Sequence, residues 1–156
     1  MSEFYYNKPL PRLTALNTPF WEMAKKGVLA VQTCLECDDM HAPPGPVCPH
    51  CLAVRQTWRA ISGWGTLESL IEVHRAYWEG FASELPYRVC LVRLDEGPVL
   101  ISTLVGDAAG ARLGSRLVVV FEPATDTLVI PKFRLAEGWA DENPLADWTL
   151  DEALPT

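Results

Sequence analysis

The sequence predicts a mainly β protein: a short N-terminal helix, a four-cysteine ribbon and then a five-stranded barrel. Two observations carry this. Cys34-Leu-Glu-Cys37 and Cys48-Pro-His-Cys51 stand ten residues apart, a spacing at which a chain presents four thiolates to one tetrahedral metal ion. Beyond Ile61, five short runs of Val, Ile and Leu alternate with turn residues. That pattern suits the strands of a small, partly open barrel, with the OB-fold as the leading candidate.

The helix is read from its ends. Pro19 suits the first helical position and Gly27 the position after the last. Lys25 and Lys26 complement the C-terminal dipole. Phe20, Met23 and Ala24 share one face over 18–26, so the helix is expected to cover a core. Residues 1–16, with Pro9 and Pro11 and no clear period, read as an extended arm.

Residues 28–33 and 54–58 are strands flanking the cysteine segment. Between the two pairs, His41-Ala-Pro-Pro-Gly-Pro46 is rich in turn-formers and brings the second pair back to the first. Unrelated buried cysteines or two disulfides are the competing readings. Four of the chain's five cysteines at this spacing favour a metal. A closed shell of Cys34, Cys37, Cys48 and Cys51 leaves no open position, so the expected zinc is structural. His41 and His50 are alternative ligands that a complete quartet makes unnecessary. Asp38 and Leu52 occupy positions where a left-handed residue, commonly glycine, follows each pair. Asp tolerates that conformation and Leu resists it, which predicts a differently shaped second knuckle.

In the barrel, strands are expected over 66–74, 87–94, 99–105, 116–122 and 127–134. Gly63-Trp-Gly65 allows a bend or bulge in the first, whose apolar set is Leu67, Ile71 and Val73. Pro131 points to an edge or bulged position for the last. The connection 106–115 is too short and glycine-rich for the helix that usually lies between the third and fourth OB strands, so the helix at 18–26 is expected to cap the barrel. The organisation read from the sequence is therefore an arm and helix over 1–27, a zinc ribbon over 28–58, an OB-fold over 59–135 and an acidic tail over 136–156.

The net charge is −7, unevenly spread. Residues 1–60 carry six basic and five acidic side chains, residues 61–135 seven and nine, and residues 136–156 six acids and no base. Nucleic-acid binders draw much of their affinity from Lys and Arg on phosphates. This chain has no basic cluster, which argues against a single-stranded nucleic-acid module despite the fold. No apolar run spans a membrane, and the N-terminus lacks a signal peptide's features. With reduced thiolates, the expected location is the cytoplasm.

The ordered set of Pro19-Phe-Trp21, Gly27, the cysteine quartet, Pro43-Pro44, Gly63-Trp-Gly-Thr66, Pro86-Tyr87, Leu94-Asp-Glu-Gly97, Gly114, Val120-Phe121 and Pro131-Lys-Phe-Arg134 resembles a known family. It pairs a rubredoxin-like zinc ribbon with an OB-fold and was long catalogued as a domain of unknown function. The resemblance covers roughly residues 9 to 135. It implies a non-catalytic partner of acyl-CoA enzymes, typically a thiolase-fold subunit making or breaking carbon–carbon bonds beside a thioester. Some relatives accompany aldolases or hydratases. The resemblance further implies that the OB-fold lies against the catalytic subunit and helps shape a CoA or acyl pocket.

An enzyme acting alone is harder to build. Cys90, the one thiol outside the quartet, sits mid-strand, where a free cysteine is usually a small buried hydrophobe. His74 has no neighbouring Ser or Asp that makes a recognisable triad. Asp95 and Glu96 occupy a hairpin turn, where solvated acids are ordinary. The loop 75–86 says more. Tyr77, Trp78 and Phe81 cluster there, as a plug over the barrel end or as interface anchors. Arg75, Lys132 and Arg134 are candidates for CoA phosphates or adenine. In the tail, Asn143-Pro144 suits a helix start, and Leu145, Trp148, Leu150 and Leu154 are spaced for an apolar stripe. Trp139 and Trp148 are expected to dock on a partner rather than on this chain's own barrel.

Overall fold

The computed structural model describes residues 6–136; expectations for the tail beyond Ala136, Trp139 and Trp148 included, fall outside the described residues. Helix α1 spans Thr18–Lys25 with Pro19 in its first turn. Gly27, at φ 77°, ends it, a backbone conformation costly for a residue with a Cβ. A three-stranded sheet of order β2-β1-β3 follows, from Ala30–Cys34 (β1), Met40–His41 (β2) and Gln56–Ala60 (β3). The two-residue β2 was not legible in the turn-rich segment.

The barrel comprises β4 (Trp64–Val73), β5 (Tyr87–Leu94), β6 (Val99–Leu104), β7 (Arg116–Pro123) and β8 (Val129–Leu135). They close in the order β4-β5-β6-β8-β7, the first strand pairing with β5 on one side and β7 on the other. This is the five-stranded barrel expected from sequence, and the OB-fold order.

Ribbon and barrel share one core. Leu29 and Val31 of the ribbon pack with Ile61, Leu67, Val92 and Phe133. Phe133 is fully buried. Phe20 of α1 packs on this cluster, while Met23 packs with Val28, Ala30 and Trp58. The helix thus bridges ribbon and barrel. Burying one large apolar side chain stabilises by about 1.5–3 kcal/mol, so this shared core couples the two parts.

Three details differ from the sequence reading. The bulge in β4 lies between Leu67 and Ser69, not at Gly63–Gly65. One extra residue reverses the inward face, so Leu67 and Leu70 meet the core while Ile71 is 56% exposed. The glycines serve close approach instead: a Cβ on Gly65 would stand 2.6 Å from the Arg93 carbonyl oxygen. The third difference is Pro131, which lies in neither an edge nor a bulged strand, because β8 sits between β6 and β7. The carbonyls of Pro131 and Phe133 face β6, accepting from Ser102 Oγ (3.1 Å) and the Val105 N–H (2.8 Å). The proline nitrogen faces the same way. There β6 and β8 register only at Leu104 and Phe133, so no ladder bond is lost.

Candidate functional site

The four cysteines converge. Cys34 Sγ lies 3.5 Å from Cys51 Sγ, and Cys37 Sγ 3.7 Å from Cys48 Sγ. All four sulfurs fall within 4.8 Å of one another. Tetrahedral Zn–S bonds of about 2.3 Å place sulfurs about 3.8 Å apart, so the cluster has the right size for zinc. The backbone prepares it for anionic sulfur: the Glu36 and His50 N–H groups each donate to the first sulfur of their pair at 3.4 Å.

The two knuckles are the same shape, contrary to the expectation for Leu52. Asp38 has φ 58° and Leu52 φ 64°. Their N–H groups donate to the carbonyls of Cys34 (3.1 Å) and Cys48 (3.0 Å). Leucine pays the strain because the turn is imposed by both cysteines and its side chain is free in solvent, 72% exposed.

Crowding splits the thiols. Burial opposes ionisation of Cys34, but the Glu36 and Cys37 N–H groups and the neighbouring thiols bring it down to about 7. For Cys37 the Asp39 N–H favours the thiolate, yet burial and the other three thiols prevail and push it up to about 12. A divalent cation relieves this conflict, since it takes all four as thiolates. The quartet therefore fits zinc, and its closed shell fits a structural role.

Behind the quartet lies a polar chain. His41 Nε2 is 3.1 Å from Gln32 Oε1, and its Nδ1 is 3.1 Å from Asp39 Oδ2. Asp39 Oδ2 is 3.9 Å from Cys48 Sγ. His41 thus stands beside the ligand shell. Gln32 and His41 form a cross-strand pair. The signal in the sequence was a glutamine within β1, a strand buried along its whole length.

The loop aromatics divide. Phe81 stacks on Tyr87 with centroids 4.9 Å apart, and a short 3₁₀ helix, Glu79–Glu84, carries it. The arm packs over this loop. Lys8 pairs with Glu84 and lies 5.2 Å from the Phe81 ring, and Trp78 Nε1 donates to the Asn7 carbonyl at 3.0 Å. Tyr77 and Trp78 nevertheless remain 75% and 53% exposed. Phe81 is half-buried beneath the arm, whereas Tyr77 and Trp78 present the more exposed rings.

The candidate cations are not gathered. Arg75 lies over the Tyr77 ring at 5.5 Å. Lys132 is buried and held by Glu122 at 2.7 Å, and Arg134 donates to the Leu135 carbonyl. Lys132 therefore does not suit a phosphate contact, contrary to its sequence reading. The hairpin acids are also more than solvated charges. Asp95 accepts two hydrogen bonds from Arg116, each 2.7 Å, and Glu96 accepts from the Ser62 N–H at 2.7 Å. Cys90 is buried, with its thiol pushed up to about 11 mainly by burial, so it is a poor nucleophile. His74 is exposed beside Glu72.

Comparison with known proteins decides the family. The rubredoxin-like zinc ribbon domain of ChsH2 matches residues 21–55, and the C-terminal OB-fold domain of ChsH2 matches residues 58–122. A solved structure described as an Ltp2-ChsH2(DUF35) aldolase is 35% identical; the match covers 81% of this chain and 98% of that one, with a TM-score of 0.73. The chain belongs to the ChsH2 (DUF35) zinc-ribbon and OB-fold family.

A curated relative, the probable enoyl-CoA hydratase alpha subunit of Thermomonospora curvata, is 35% identical over 130 residues. That match takes 83% of this chain and 40% of the relative's length. A DUF35 protein of unknown function from Sulfolobus solfataricus, 14% identical at TM-score 0.55 over 78% of this chain and 86% of that one, shares the fold. Among the described residues no helix is long and apolar enough to cross a membrane.

Proposed function

We propose that this chain is the non-catalytic zinc-ribbon and OB-fold subunit of a hetero-oligomeric acyl-CoA enzyme whose catalytic subunit has a thiolase-type fold. The observation that carries this reading is the near-complete match to the ChsH2(DUF35) chain of a structure described as an aldolase with Ltp2. The name of the hydratase relative favours a second partner class, an acyl-CoA hydratase. Zinc, held by Cys34, Cys37, Cys48 and Cys51, stiffens the ribbon and performs no chemistry. In this reading Tyr77 and Trp78, with Arg75 beside them, anchor the catalytic subunit, because large exposed aromatics dominate interface energetics. Arg134 and the tail residues Trp139 and Trp148 extend that contact, and the assembled interface shapes the pocket for CoA thioester. The protein works in the cytoplasm.

The test is co-expression with an adjacent gene product of thiolase type. A stable complex that cleaves or forms a carbon–carbon bond in an acyl-CoA, with neither subunit active alone, supports the reading. Turnover of an acyl-CoA by this chain alone overturns it.

A further inference from the structure

A cleft of about 310 Å³ lies between α1, the ribbon and the barrel. Phe20, Trp21, Trp58, Pro43, Pro44 and Leu100 wall it, and Gln32 and His41 line its polar part. Among the described residues, no Lys, Arg, Asp or Glu borders it. Its size is at the small end of ligand sites, about 300–1,000 Å³, and its make-up follows their pattern of apolar walls with few polar groups.

The polar groups are fixed in direction. The Gly45 N–H lies 2.7 Å from one terminal atom of the Gln32 side chain. Because a backbone N–H donates, that atom is the oxygen. The same oxygen accepts from His41 Nε2, and Asp39 engages the other ring nitrogen. Both nitrogens of His41 are therefore occupied. The Gln32 amide nitrogen has no acceptor among the described residues, although the residue is only 6% exposed, and this nitrogen is not sealed from solvent. The amide nitrogen therefore keeps donors to spare on the side chain that lines the cleft, where a ligand oxygen can accept from it in place of water.

We propose that this cleft binds a flat, neutral, largely apolar molecule carrying a carbonyl oxygen, which accepts a hydrogen bond from the Gln32 amide while its ring packs between Trp21, Trp58 and Pro44. An anion has no counter-charge here, and a pure hydrocarbon leaves the Gln32 donor unmet. The site needs only this chain, so it stands apart from the identity of the catalytic subunit.

The probe is 2-acetylnaphthalene, titrated into the zinc-loaded full chain and followed by nitrogen-15 NMR. The expected result is saturable shifts of the Gln32 side-chain amide and the Trp21 and Trp58 indole signals. 2-Ethylnaphthalene and 2-naphthoate are expected to bind about tenfold more weakly, the worth of roughly one hydrogen bond. Gln32→Leu is expected to erase the preference for the ketone. Leu100→Trp, which fills the cleft without touching the polar chain, is expected to abolish binding of all three. Absence of saturable shifts, equal affinity for ketone and hydrocarbon, or unchanged binding by Leu100→Trp overturns the proposal.

Discussion

Asp38 and Leu52 hold the same left-handed turn in the two cysteine knuckles, at φ 58° and 64°. A leucine there carries strain of about 1–2 kcal/mol. Its side chain contributes little in return, being 72% exposed. Leu52→Gly is therefore expected to stabilise the zinc-loaded protein by up to about 1 kcal/mol after the larger unfolded-state entropy of glycine is deducted. Denaturant unfolding at fixed zinc checks this, and a loss of stability would contradict the account of the knuckle.

The quartet makes a stronger claim. Metal binding at such sites is folding free energy, on the order of 10 kcal/mol. Metal analysis should find about one zinc per chain, and Cys48→Ser, which removes a buried ligand, is expected to abolish soluble expression. A metal-free chain that unfolds cooperatively with unchanged stability would remove zinc from the description.

The ion pair between Asp95 and Arg116 sets a pH dependence. Hydrogen bonds from Arg116 hold the Asp95 carboxyl below its usual range, against a smaller opposing effect of burial. A depressed carboxylate stabilises the fold above its unfolded value near 4 and loses that contribution as pH falls through the folded value. The pair is partly exposed, so its worth is about 0.5 kcal/mol. The stability gap between the wild type and Asp95→Asn is expected at pH 6 and should close towards pH 3. A gap independent of pH would contradict the assignment.

What could be read from the sequence follows from range. The helix, the quartet and the five strands rest on neighbours in the chain, and they are present with element ends within two residues of the reading. The bulge after Leu67 was hidden because one inserted residue reverses a two-residue period without changing composition. Pro131 misled because a proline is harmless where the ladder beside it is open, and only the strand order shows that. The cleft beneath α1 joins residues as distant as Thr14 and Leu100. Gln32 and His41 acquire meaning only once β1 and β2 are paired. The difference between a half-buried Phe81 and an exposed Tyr77 likewise depends on where the arm lies.

The central claim is that this chain serves a catalytic partner. It is tested most directly by the affinity for the purified thiolase-type subunit of the wild-type chain and of Tyr77→Ala/Trp78→Ala, whose side chains are exposed. Titration calorimetry should give a stable complex for the wild type. The double variant, still carrying one zinc, should bind at least about tenfold more weakly, as expected on losing an aromatic anchor. No measurable association of the wild-type chain with that subunit would contradict the account.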